Sequence, residues 1–221
     1  MSAVVRFTPS ERAWHWVFAA GWLALLASGL PLMLPAMQGW IRGYSPVIGL
    51  RLHLAAAVVW AVALAGVLLL GDRRRLAATW RELAVLDAED RRWLTRFPRW
   101  LAAGPAGRAR LDARVGRFNA GQKVNALVTA AASAVLLVTG LALVPEAAGG
   151  GAPVAGPLRT VHGWVTLAML VPLGGHLFFA LAFPATRPSL SGMLRGRVSA
   201  EWAARHHPRW RAERAPEDRA A

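Results

Sequence analysis

The sequence predicts an all-α integral membrane protein, a four-helix up-and-down bundle with cytoplasmic termini and interfacial cytoplasmic helices. Residues 13–41, 52–71, 124–145 and 160–186 contain no Lys, Arg, Asp or Glu, and a bilayer-spanning helix needs about 20 mostly apolar residues. A soluble bundle would place charges on its wet face every turn or so, and these four windows have none. Of the 26 Lys and Arg residues, 23 lie before the first window, between the second and third, or after the fourth. Only Arg42, Arg51 and Arg159 occupy the other two connections. Lys and Arg resist translocation, so the asymmetry puts both termini and the long central loop in the cytoplasm. It also accounts for a formal net charge of +14 through the membrane, with no nucleic acid as partner.

The first span is expected over residues 14–34, closed by Pro31 and Pro35. It is longer than a signal-peptide core and lacks a small-residue cleavage site before the next charge, so it is retained. Trp14, Trp16 and Trp40 suit the membrane interfaces. A short outer loop over 36–50 holds Gly43, Pro46 and Gly49, and the second span covers 51–70, stopped by Arg73, Arg74 and Arg75. The polar loop 72–121 mixes charges of both signs with Trp80, Trp93 and Trp100, as interfacial helices do, and Gly104-Pro105-Ala106-Gly107 reads as a turn or flexible link. The third span is expected over 122–144, an outer turn around 149–157, and the fourth span over 159–183, ending before Pro184 and Pro188. The tail, 189–221, is a basic, partly helical cytoplasmic segment. No internal repeat is present, and residues 1–221 read as one integral domain.

Four of the six histidines, His15, His53, His162 and His176, sit at or inside span boundaries. An ionisable group at membrane depth is costly and points to function; a hydrogen-bonded interhelical histidine is the plainer alternative for any one of them. His162 and His176 are 14 residues apart, almost four whole turns, which leaves them about 40° apart on one face and about 21 Å apart along the axis. In the derived topology His162 is near the outer surface and His176 towards the cytoplasm. His15 begins the first span inside and His53 the second outside. Pairing by height gives His53 with His162 and His15 with His176. Each couple can hold one haem iron by bis-histidine ligation, and two haems stacked across a membrane form an electron wire.

Competing readings are weaker on the residues themselves. Zinc lacks H-E-x-x-H or any local N/S cluster, and couples a bilayer apart cannot share one metal. A proton-relay transporter would add intramembrane Asp or Glu, and these spans have none. The chain has no cysteine, which excludes disulfides, thiolate-held iron–sulfur clusters and covalent c-type haem. Gly163, Gly174 and Gly175 flank the histidines, and Pro172 removes the hydrogen bond its N–H would have made to Ala168, giving a kink with room for a porphyrin or simply close helix packing.

Five stretches in order around these spans carry a resemblance: R-F-T-P-S-E-R-A-W-H-W at 6–16, R-L-H at 51–53, R-F-N-A-G-Q-K at 117–123, V-H-G-W at 161–164 and G-G-H-L-F-F-A at 174–180. The tail G-R-V-S-A-E-W-A-A-R-H-H-P-R-W at 196–210 is the most distinctive. The chain resembles, over nearly all its length, the gamma subunit of membrane-bound formate dehydrogenase, a di-haem cytochrome b. The resemblance implies His15 and His176 as ligands of a cytoplasm-proximal haem b, and His53 and His162 as ligands of a periplasm-proximal one. It further implies a quinone site (menaquinone or ubiquinone) built from Asn119, Gly121, Gln122 and the neighbourhood of His176. An amide can hydrogen-bond a quinone carbonyl and glycine admits the ring, while Asn119 can equally be the N-cap of the third span. His206 and His207 read as structural or as contacts to lipid headgroups.

The implied partners are an iron–sulfur (beta) subunit and a catalytic molybdenum or tungsten (alpha) subunit, in the bacterial inner membrane. Formate oxidation would belong to the alpha subunit, and this chain would pass electrons to the quinone of a respiratory chain. Two alternatives are a di-haem cytochrome b of a hydrogenase or sulfur-compound reductase, and a haem-free transporter.

Overall fold

The computed structural model describes residues 3–147 and 155–214. Of the outer turn expected around 149–157, residues 149–154 lie outside them, and 155–157 already belong to the helix Ala155–Ala168. Among the described residues the chain is almost wholly helical, and four helices are long and apolar enough to cross a membrane: Pro9–Met33, Pro46–Leu70, Ala120–Pro145 and Gly156–Ala182. The predicted all-α membrane bundle is therefore the observed class.

Helix α1 (Pro9–Met33) starts five residues before the expected span and takes in Glu11 and Arg12. Pro31 lies inside it rather than closing it. The carbonyl of Pro31 would normally receive the N–H of residue 35, but that residue is also proline. The Gln38 side chain supplies the missing donor, at 2.8 Å. A short helix, α2 (Pro35–Gln38), follows. Helix α3 (Pro46–Leu70) begins within the expected outer loop because Pro46 follows the N-cap Ser45, where a missing N–H costs nothing.

Helices α4 (Arg73–Ala84), α5 (Ala88–Ala102) and α6 (Pro105–Leu111) make up the central loop. Asp87 and Asp90 form a reciprocal capping box at the start of α5. Pro105 to Gly107 open α6 with Gly104 as N-cap, so the expected turn is only that cap.

Helix α7 (Ala120–Ala147) is the third long helix. The fourth is interrupted: α8 (Ala155–Ala168) gives way at Met169 to α9 (Leu170–Leu177). The break falls where Pro172 removes the bond to Ala168. A π turn, Phe178–Ala182, closes the run, with the Phe183 N–H on the Phe178 carbonyl at 2.9 Å. Such turns are rare and concentrate at functional sites. The tail forms α10 (Leu190–Arg195), α11 (Ala200–His206) and α12 (Pro208–Arg214).

One feature lies outside the expected class. Strand β1 (Ala3–Val5) pairs antiparallel with β2 (Arg197–Ser199), Val4 opposite Val198. Gly196 precedes β2 at φ 79°, a left-handed conformation natural only to glycine, and its carbonyl accepts the N–H groups of Arg6 and Phe7.

By contacts the chain divides into two compact units. The first comprises residues 3–12, 74–130 and 172–214 among those described; the second comprises 13–73 and 131–171. In the first, Val4, Val198, Trp202, Ala203 and Trp210 form one buried cluster, and Trp93, Trp100, Val115 and Ala120 another. Arg6 is fully buried there, over the rings of Phe7 and Trp202. Burial and the charge of Arg117 lower its pKa to about 9, still high enough to stay charged at neutral pH. Arg117 donates to the Arg6 carbonyl, Glu11 and Thr79, which explains an arginine at the head of R-F-N-A-G-Q-K. In the second unit Trp60 packs against Gly21, where a Cβ would fall 1.9 Å from the indole.

Candidate haem-binding site

His53, on α3, and His162, on α8, meet inside the second unit with ring centroids 6.3 Å apart and planes at 80°. Each ring is held by a hydroxyl from another helix. The Ser28 Oγ on α1 lies 3.0 Å from His53 Nδ1, and the Thr139 Oγ1 on α7 lies 2.8 Å from His162 Nδ1. A hydroxyl has one proton to donate. Ser28 directs its proton to the Ala24 carbonyl at 2.7 Å, and Thr139 to the Val135 carbonyl at 2.8 Å. With its proton on that carbonyl, each oxygen accepts from the Nδ1 beside it, and Nε2 keeps the lone pair that a metal needs.

The separation also fits a shared metal. With metal–nitrogen bonds of about 2.0–2.1 Å and a ring nitrogen about 1.1 Å from its centroid, two imidazoles in line on one ion sit about 6.3 Å apart. Ligation fixes the two lone pairs and leaves the ring planes free to rotate about the bond axis. Gly29 and Gly140 make the approach possible. A Cβ at Gly29 would stand 3.0 Å from His53 Cε1, and one at Gly140 3.5 Å from His162 Cε1. Ser28, Gly29, Thr139 and Gly140 are thus site residues that the sequence does not announce, since each acts on a histidine more than 20 positions away.

His15 belongs to the second unit, its ring 5.2 Å from that of Trp16. His176 belongs to the first, in the last turn of α9 just before the π turn. A Cβ at Gly174 or Gly175 would enter open space, whereas one at Gly163 would meet the flexible end of Met33. Among the described residues no three His, Cys, Asp or Glu side chains come together as a metal cluster.

Asn119 and Gln122 cap α7 reciprocally. The Asn119 side chain accepts from the Gln122 N–H at 2.9 Å, and the Gln122 side chain from the Asn119 N–H at 3.0 Å. This is a capping box, and it leaves both amide NH2 groups for other partners. Gly121 faces the Asn119 oxygen and Trp93, so its immediate surroundings are the protein's own side chains.

Of the tail histidines, His207 is buried and His206 is only partly covered. His207 is 3% exposed and donates from Nδ1 to the Gly116 carbonyl at 2.7 Å. Burial, and secondarily the charge of Arg6, push its pKa well below the ordinary value. His206 pairs through Nδ1 with Asp112 at 3.0 Å. Of the two readings, structural or headgroup contact, the packing agrees with the structural one: the tail folds its aromatic side onto Val4 and Val198, and His206 and His207 bond to Asp112 and Gly116.

Comparison with known proteins agrees with the geometry. The chain is 26% identical over 213 residues to the cytochrome b556(Fdn) subunit of nitrate-inducible formate dehydrogenase from Escherichia coli K12, covering 95% of this chain and 91% of that one. It is 26% identical over 214 residues to the cytochrome b556(fdo) subunit of formate dehydrogenase from the same strain, covering 95% and 92%. Residues 6–196 match the family described as prokaryotic cytochrome b561, whose members bind b-type haem. A chain with four helices long and apolar enough to span a membrane and with this match belongs to the prokaryotic cytochrome b561 family.

Proposed function

We propose that this chain is the membrane-anchor electron-transfer subunit of a formate dehydrogenase in the bacterial inner membrane. It takes electrons from a periplasmic iron–sulfur subunit, itself fed by a molybdenum or tungsten catalytic subunit, and delivers them to a quinone at the cytoplasmic side. The observation that carries the reading is the His53–His162 couple, with Nδ1 of each ring within hydrogen-bond distance of a hydroxyl from another helix. The similarity to two formate dehydrogenase cytochrome subunits supports the choice of partner.

Haem b, when bound, would supply reversible one-electron transfer. His53 and His162 hold it on the periplasmic side; Ser28 and Thr139 fix their tautomers. His15 and His176 hold the second, a pairing that rests on their depths in the sequence and on the family resemblance. Asn119 and Gln122 offer their remaining amide N–H groups to quinone carbonyls, with Gly121 and His176 as neighbours. The basic loop and tail put the termini in the cytoplasm. Each electron carried inward against a negative interior stores roughly 2.3 kcal/mol per 100 mV.

A dithionite-reduced minus oxidised spectrum of protein purified with its haem supply intact tests this. A b-type band with two haems per chain is expected, falling to one in His162→Ala. Absence of the band overturns the reading.

A further inference from the structure

Between α5, α6, α7 and the tail, within the first unit, lies a small cavity of about 20 Å³ whose border includes Trp100, Asp112, Asn119, Gln122, His206 and His207. That is room for one water, which needs about 10–15 Å³ and two or more polar partners. Trp100 is 3% exposed, and its indole N–H is buried with no hydrogen-bond partner among the described residues. A buried donor left this way costs about 1–3 kcal/mol unless something accepts from it. The carboxylate of Asp112 is also buried, one oxygen accepting from the Trp93 indole at 3.0 Å and the other facing His206 Nδ1 at 3.0 Å. His206 is only partly covered and so reaches the aqueous side.

We propose that Asp112 and His206, with a water held by the Trp100 N–H, form the proton relay to the quinone reduced at the Asn119–Gln122 amides; this rests on the quinone site proposed above. The cavity is too small for a quinone ring, so its part is to carry protons to a ring bound beside the amides. Reduction takes two electrons, supplied through the haem chain, and two protons, and forms an O–H bond at each carbonyl oxygen. Each proton leaves the Asp112–His206 pair through the water and is replaced through His206 from the cytoplasm. The other charges around the cavity are already engaged. His207 is neutral on Gly116 and beside Arg6, Arg209 pairs with Asp87, and Lys123 with Asp90. That leaves Asp112 and His206 as the pair able to exchange a proton there.

The test uses the assembled complex in membranes, comparing Asp112→Asn and His206→Gln with Asn119→Ala. Both relay variants keep a hydrogen-bonding group in place, and the amplitude of the b-type band checks assembly; should Asp112→Asn fail to assemble, His206→Gln decides. Formate-dependent quinol formation is expected to fall about 100-fold, within the range of general acid–base effects, and to fall further as pH rises. Binding of a quinone-analogue inhibitor should stay within twofold. A redox-induced infrared difference spectrum should contain a carboxyl band that shifts in D2O and is missing in Asp112→Asn. Quinol formation within twofold of wild type in both relay variants, with Asn119→Ala slowed, overturns the relay and spares the quinone site. If Asn119→Ala also leaves rate and inhibitor binding unchanged, the quinone site is misplaced and the relay falls with it.

Discussion

Replacing Thr139 by Val removes one oxygen while keeping the shape and the β-branch. The valine methyl cannot accept, so His162 Nδ1–H loses its partner at 2.8 Å in a setting where Thr139 is 6% exposed. Leaving a buried N–H unmet costs about 1–3 kcal/mol. Independently, loss of a partner that orients a metal-bound histidine lowers metal affinity about 10- to 100-fold, which at about 1.36 kcal/mol per decade is the same range. The ring is then free to adopt the other tautomer, whose proton sits on the ligating nitrogen. Thr139→Val is expected to weaken haem retention at the His53–His162 site about 10- to 100-fold and to raise its midpoint potential, because a less polarised imidazole donates less to ferric iron. Ser28→Ala should act alike through His53, and Thr139→Ser should restore both properties. Haem-transfer titration in detergent and a potentiometric titration read the two effects. Wild-type retention and potential in both Thr139→Val and Ser28→Ala would refute the tautomer assignment.

Three further outcomes follow from the packing. Gly21→Ala forces a Cβ to 1.9 Å from the Trp60 ring, and overpacking of about 1–3 kcal/mol should lower the temperature at which the purified protein loses its b-type band; an unchanged midpoint would mean that the indole swings aside. Asp90→Asn leaves Lys123, 2.6 Å from that carboxylate and equally buried, without its counter-charge, at about 3–5 kcal/mol. The yield of folded protein should collapse, and Asp90→Leu with Lys123→Met should recover part of it. His207 titrates well below its ordinary value in the folded chain, so the unfolded chain binds the extra proton first. Its contribution is full above about pH 6.5 and is lost as pH falls from there through the depressed folded value, at up to about 1.4 kcal/mol per pH unit. Proteolysis of the tail should quicken between pH 7 and 5, and His207→Gln should flatten that dependence.

The spans were legible because a charge-free window of membrane length is seldom anything but a span. Their ends were not. Glu11 and Arg12 carry α1 beyond the apolar window because Arg117 and Thr79 receive Glu11, and Arg12 donates to the Met193 and Leu194 carbonyls. Pro46 starts α3 inside what composition marked as loop. Asn119 was legible as a cap, whereas the part of Gln122 in it emerges only from the structure. Ser28 and Thr139 were not, since a hydroxyl in an apolar helix has no periodic signature and its partner is on another helix. The burial of His207 was hidden by its basic neighbours, whose charges point away from the aromatic side. Two three-residue strands more than 190 positions apart leave no pattern at all.

That ribbon has a temporal consequence. Ala3–Val5 is made ahead of the four hydrophobic helices, yet its partner Arg197–Ser199 emerges only after them. At about 5–20 residues per second, Ala3–Val5 waits roughly 10–40 s for a mate. Until then Arg6 has neither Trp202 beneath it nor Gly196 to receive its amide. Closure of the ribbon therefore reports that synthesis has run past the fourth hydrophobic helix, so prematurely ended chains would present an open amino-terminal segment by which quality-control proteases could tell them from finished ones.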